Sequence, residues 1–237
     1  MTDLLVFSAS FTGIALLLSL FARAVDRRLA FAFGLAFALY LGLDDLATAF
    51  GPRFDFVGGA WNWSGKVASL VLSAAVIVAF RMHPEAVGLR LPRRAIGASL
   101  LATALLLAAS VALALLFRPE APTMETLAFQ ATMPGLAEEL AYRGIAPALL
   151  LGLVGGKAAP RETPWVVVTA TALMFGIWHG LGYADGAFGF QWIPAAYTFV
   201  GGVVYGWMRF NNGSLLFPVL AHCLGNAAFQ LVPLVQG

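Results

Sequence analysis

The sequence predicts an all-α fold, a polytopic bundle of about eight transmembrane helices, and three observations lead there. Of the 237 residues 60% are hydrophobic and 11% charged, with a mean hydropathy of +0.85, which leaves too little polar surface for a water-soluble globule. The apolar residues fall in runs of roughly 20, the length a helix needs to cross the hydrocarbon core. Sustained alternation of polar and apolar residues is absent, which argues against a membrane β-barrel.

The runs place helices near 4–22, 29–49, 65–80, 95–117, 124–154, 164–183, 190–208 and 215–235. The first is too long for a removable signal peptide and lacks its basic leader and small-residue cleavage site, so it reads as a retained helix. The second carries Asp44 and Asp45 towards its outer end, where an acidic pair in the interface is the expected arrangement. Trp61, Trp63, Trp165 and Trp192 lie near span ends, as interfacial anchors do. Between the third and fourth spans, His83 to Arg94 holds two prolines and three arginines and reads as a connector at headgroup level. The fifth contains Pro134, which removes a backbone donor and is expected to bend the helix and open a wet cavity. Gly155-Gly156 close it, and Pro160 to Pro164 precede the sixth. No soluble domain, repeat or low-complexity tail interrupts the pattern, so residues 1–237 read as a single membrane domain.

Loop charges orient the bundle. Arg23, Arg27, Arg28, Arg81, Arg90, Arg93, Arg94, Lys157, Arg161 and Arg209 fall in or beside alternate loops, and only Arg53, Lys66 and Arg118 fall on the other side. The positive-inside rule makes the first set cytoplasmic in a plasma membrane of bacterial type and puts both termini outside. The net charge of +2 is a topological signal and calls for no nucleic acid partner, only membrane lipid.

Charged groups inside an apolar span mark function by default. The run Gly135-Leu136-Ala137-Glu138-Glu139-Leu140-Ala141-Tyr142-Arg143-Gly144 holds three of them. Glu139 and Arg143 are four apart in the favoured order for an ion pair on one helix face. Glu138 has Tyr142 one turn on, which leaves its carboxylate free to act as a base. In the sixth span His179 lies on the face of Phe175, and in the eighth His222 shares a face with Asn226. Cys223 is the only cysteine, and neighbours on a helix diverge by about 100°, so a dyad with His222 is not expected.

Glu138-Glu139 with Arg143, Phe175 with His179, and His222 with Asn226 resemble, in order, the three motifs of the CPBP (Abi) family of intramembrane proteases, which includes the type II CAAX prenyl endopeptidases. The resemblance covers about residues 124–232; the N-terminal half is similar only in being hydrophobic. It implies an endopeptidase cleaving a peptide or membrane-protein substrate at or near the membrane. Glu138 would take the proton of the attacking water, with His179 holding that water or sharing the role of base. His222 and Asn226 would offer donors to the oxyanion, and Glu139 with Arg143 would brace the site. Glu138, His179 and His222 are also the residues that would hold zinc, as two histidines and a carboxylate can; at this level zinc and metal-free catalysis both stay open. The alternative from another class is a non-enzymatic bundle, a transporter or immunity factor using the same buried groups for ions or a partner. Helical rise puts His179 about 22 Å from the cytoplasmic start of its span and His222 about 10 Å from that of its own. For the two to meet, spans five and six must extend beyond the lipid or the boundaries must shift.

Overall fold

A computed structural model describes residues 2–21 and 27–236. The chain is mostly helical. Helix α1 (Thr2–Phe21) packs on α2 (Arg27–Phe54), and α2 packs on α3 (Trp63–Ala79). Asn62 caps α3: its Oδ1 accepts from Gly65 N at 2.9 Å, while its Nδ2 donates to the Thr48 carbonyl of α2 at 2.7 Å. After α3 the chain makes the short helix α4 (Pro84–Val87), started by Pro84 and the His83 side chain and closed by Gly88 at φ 77°. Helix α5 (Ile96–Phe117) follows and packs on α11 (Leu216–Gln236), while α9 (Trp165–Gly180) packs on α10 (Trp192–Asn212).

The expected fifth helix is a chain of segments. It comprises α6 (Met124–Gln130), α7 (Met133–Glu139), a π-helical stretch (Leu140–Ile145) and α8 (Ala146–Leu150). Residues Ala141 to Leu150 are buried without interruption, so this broken element is the centre of the bundle. The break falls at Ala131–Thr132, ahead of Pro134. Pro134 sits in the first turn of α7, where its missing N–H is one the helix start would leave free anyway, so it begins a helix where the sequence suggested it would bend one. Π-helical turns inside α-helices are rare and concentrate at functional sites; this one contains Tyr142 and Arg143.

Among the described residues, four helical stretches are long and apolar enough to cross a membrane: Thr2–Leu20, Phe31–Gly51, Ile96–Phe117 and Leu216–Val235. Trp63–Ala79 and Trp165–Gly180 are apolar but shorter. The crossing-length helices show large aliphatic side chains outward, Leu35, Leu39 and Leu43 on α2 and Leu100, Leu101 and Leu105 on α5. Such faces suit lipid tails, and the chain is an integral membrane protein.

A two-stranded antiparallel hairpin, β1 (Leu181–Ala184) and β2 (Ala187–Phe190), stands where the sixth span was expected to finish. Asp185 and Gly186 at its turn both have positive φ, 52° and 79°. Asp-Gly is a favoured pair for that turn, in which both central residues need the left-handed region. The hairpin cuts α9 to 16 residues, about 24 Å of helix.

Three connectors gather at one end of the bundle. Gly155 N and Gly156 N donate to the carbonyls of Phe80 and Arg81. Arg94 donates to the carbonyls of Arg161, Phe210 and Asn211, and Arg90 to that of Gly213. Ser214 Oγ bonds the Arg90 carbonyl, and Arg209, only 1% exposed, donates to the carbonyls of Glu85 and Ala86. Most of the positive charge assigned to one side thus lies in segments that fold together, although Arg209 is buried in the fold. Arg23 lies outside the described residues.

Candidate functional site

Glycine brings the two acids of α7 to α11. A Cβ at Gly135 would run into Cys223 Sγ and lie 3.1 Å from the Val219 carbonyl, so the bare backbone permits a close crossing of the two helices. One turn further along α7, Glu138 and Glu139 therefore reach His222. Cys223 itself donates to the Thr132 carbonyl at 3.5 Å, away from any role beside His222.

Glu139 is fully buried and engaged on one oxygen. Its Oε1 accepts from Arg143 Nη1 at 3.1 Å and from His222 Nδ1 at 2.8 Å. The Arg143 guanidinium lies 4.2 Å from the centre of the Phe175 ring and 5.3 Å from that of Tyr205. Arg143 finds room because Gly202 has no side chain; a Cβ there would stand 2.7 Å from Nη2. Tyr205 stacks on His222 with ring planes 9° apart, and Phe175 meets His179 edge-on at 4.4 Å between centres. Arginine, carboxylate and the two aromatic rings thus fix the two imidazoles. The expected Glu139–Arg143 pair is present.

Glu138 has a different setting. Both oxygens are buried, and Oε1 accepts from Lys66 Nζ at 2.7 Å. The other oxygen, Oε2, has no hydrogen-bond partner and lies 3.9 Å from the Nε2 atoms of both His179 and His222. His179 Nδ1 donates to the Phe175 carbonyl at 2.8 Å, and His222 Nδ1 to the Glu139 carboxylate. Neither acceptor can donate, so each neutral ring holds its proton on Nδ1 and turns an Nε2 lone pair toward Glu138 Oε2. The two histidines, which the sequence left at different depths, meet at this atom, His179 coming from the last turn of α9 and His222 from α11.

Glu138, His179, His222 and Asn226 line one cavity of about 410 Å³. Asn226 Nδ2 donates to Gln130 Oε1 at 3.1 Å. Gln130, Tyr197, Gly225 and Asn226 are shared with an adjoining groove of about 520 Å³ that runs past Leu113, Phe117 and Phe229. All six residues singled out in the sequence therefore belong to one site: four line its cavity, and Glu139 and Arg143 stand behind His222.

Three sequence expectations need correction. Glu138 is not free of cations, because Lys66 reaches it from α3, a neighbour that helical spacing within one segment does not reveal. Lys66 is not a loop charge on the outer side, since it is 7% exposed within α3. Asp44 and Asp45 are not an interfacial pair. They are 8% and 6% exposed; Asp44 accepts from Ser69 at 2.5 Å, and Asp45 from Ser8 and from Trp178 Nε1, the latter at 2.8 Å. Together with Lys66 and Glu138 they line a narrow cleft. The missed signal was a lysine followed by an apolar run, an expensive charge that calls for a partner. Trp61, just ahead of α3, stacks on Phe129, 5.0 Å between centres.

The Nε2 lone pairs turned toward Glu138 Oε2 can accept a proton from a water held between them, and two histidines with a carboxylate are also a set to test for zinc. Zinc fits these residues poorly. The carboxylate that would ligate it already carries the Lys66 ammonium at 2.7 Å, and a dication would add like charge beside that ammonium in a buried site. Among the described residues no three His, Cys, Asp or Glu side chains are arranged to hold a metal ion.

Compared with known proteins, residues 120–228 match a family model described as type II CAAX prenyl endopeptidase Rce1-like. No curated protein and no solved structure matches the chain.

Proposed function

We propose that this chain, which through residues 120–228 belongs to the type II CAAX prenyl endopeptidase Rce1-like family, is an intramembrane endopeptidase acting on a membrane-associated peptide. The observation that carries the reading is the buried Glu138 Oε2, without a hydrogen-bond partner and 3.9 Å from two imidazole nitrogens. A water at that point donates one proton to Oε2 and the other to an Nε2. Its oxygen then attacks the scissile carbonyl while Glu138 takes the proton. Collapse of the tetrahedral intermediate breaks the C–N bond, and the proton held by Glu138 passes to the departing amine. The Asn226 amide, exchanging its bond to Gln130 for the substrate, supplies a donor to the oxyanion; a neutral His222 offers none from Nε2. Glu139 and Arg143 keep the His222 ring in place.

The adjoining groove, bounded by Leu113, Phe117 and Phe229, receives the apolar part of the substrate, in keeping with the prenylated substrates in the family's name. We further place the chain across the membrane eight times, with the arginine-rich end of the bundle cytoplasmic and both termini outside. No step of this mechanism passes through a metal, so chelation should leave cleavage unchanged.

The test is incubation of the purified protein in lipid nanodiscs with a library of farnesylated and unmodified membrane peptides in ¹⁸O water, read by mass spectrometry. Cleavage at a defined bond, with one ¹⁸O in the new carboxylate, is expected with and without chelator. An absence of hydrolysis across the library would contradict the reading, and loss of activity on chelation would contradict its metal-free chemistry.

A further inference from the structure

The matched family segment begins at residue 120, yet the cation on Glu138 comes from residue 66. Its position is built with care. A Cβ on Gly51 would collide with the backbone of Gly65, so α2 and α3 cross at contact distance immediately beside Lys66. Asn62 ties the first turn of α3 to Thr48 of α2. The Lys66 ammonium lies 5.4 Å from the centre of the Trp178 ring, and Trp178 is held in turn by Asp45. Trp178 also meets the ring of its neighbour His179 edge-on at 4.8 Å. Both members of the Glu138–His179 pair are thus tied back to the N-terminal half, the first through Lys66 and the second through Asp45 and Trp178.

A carboxylate buried without a partner is free to turn about its last bond and to present either oxygen to its neighbours. A 2.7 Å ion pair on Oε1 removes that freedom. We propose that Lys66 is a positioning residue for Glu138, holding Oε1 so that Oε2 alone faces the two imidazoles, and that the N-terminal half contributes this part of the site. The proposal rests on the reading of Glu138 as the base. It assigns Lys66 no contact with substrate, so its loss acts on turnover more than on binding.

The experiment uses the full chain in nanodiscs and a peptide that the wild type cleaves. Lys66→Met is expected to lower kcat by about a hundred-fold, the effect of misplacing a catalytic group by about an ångström, with KM changed by less than about two-fold. In Lys66→Ala, propylammonium should restore turnover saturably, whereas propanol of the same length should not; a lysine that merely fills space would respond to both or to neither. Wild-type kcat in Lys66→Met, or failure of the amine to rescue Lys66→Ala, overturns the proposal. A substrate-free arm separates it from the protease reading. In thermal unfolding, the shifts of Lys66→Met and Glu138→Gln should fall well short of adding in the double variant, and additive shifts would show that the pair is not formed, whatever the wild type cleaves.

Discussion

Two buried arginines, each 1% exposed, hold two regions of this molecule with different partners. Arg143, in the π-helical stretch, meets a carboxylate and two aromatic rings at the wall of the cavity. Arg209, near the end of α10, donates to backbone carbonyls of α4, where the connectors gather, and lies over the ring of its neighbour Phe210, with no carboxylate among its hydrogen-bond partners in the described residues. Arg143 is accommodated on α10 by Gly202, seven residues before Arg209 and so about 10 Å along the same helix. One region concentrates ionised side chains around a point that two histidines share. The other uses cations to close helix ends and bind loops together. A buried charge therefore identifies a reactive site only when its partners are themselves ionisable; carbonyl partners mark a structural joint.

The comparison can be broken most directly at Arg143. Arg143→Ala leaves Glu139 a buried acid without its cation, held only by the His222 hydrogen bond, and should destabilise the protein by about 3–5 kcal/mol, with loss of cleavage because the brace behind His222 is weakened. An unchanged thermal midpoint in detergent would show that the pair carries no such weight. Arg209→Ala should have a smaller effect, about 1.5–3 kcal/mol for the lost charged hydrogen bonds, and should leave kcat near that of the wild type. If Arg209→Ala removed activity while the fold persisted, the division between the two regions would fail.

The smallest effect belongs to Glu85, at the surface of the connector end. Its hydrogen bond to Arg90, at 2.6 Å, and the nearby Arg93 hold its carboxyl below the usual carboxylate range. A group whose folded value is depressed stabilises above its unfolded value, about 4.3, and that contribution is lost as pH falls through the folded value. Midpoints measured from pH 6 down to pH 3 should therefore show a slight acid loss in wild type that is reduced in Glu85→Gln. Identical acid limbs in the two proteins would show that Glu85 is not paired in solution.

Much of the site was legible in the sequence because its logic is local. Glu139 and Arg143 lie four residues apart on one segment, and spacing alone predicts their contact. His179, His222 and Asn226 stood out as polar groups in apolar runs, and helix positions followed from run length. What escaped was set by packing between segments. Lys66 looked like an interfacial charge because it lies in the first turns of its helix, and only the Gly51–Gly65 crossing turns it inward. Asp44 and Asp45 resemble a helix end because the apolar run of the second span fades near residue 49, whereas α2 continues to Phe54 and places them well inside. The hairpin was legible in Asp185-Gly186, but its strands Leu181–Ala184 and Ala187–Phe190 are apolar enough to be absorbed into the flanking spans.

The central claim is that Glu138 is the base, and one pairwise measurement tests it. Wild type and Glu138→Gln, in the same nanodiscs with the same cleavable peptide, should bind that peptide with similar affinity and unfold as single cooperative species. Glutamine keeps the planar shape of the carboxylate but accepts no proton at working pH, so single-turnover hydrolysis should disappear in Glu138→Gln. Hydrolysis by the variant at the wild-type rate would contradict the account and return the role of base to another group.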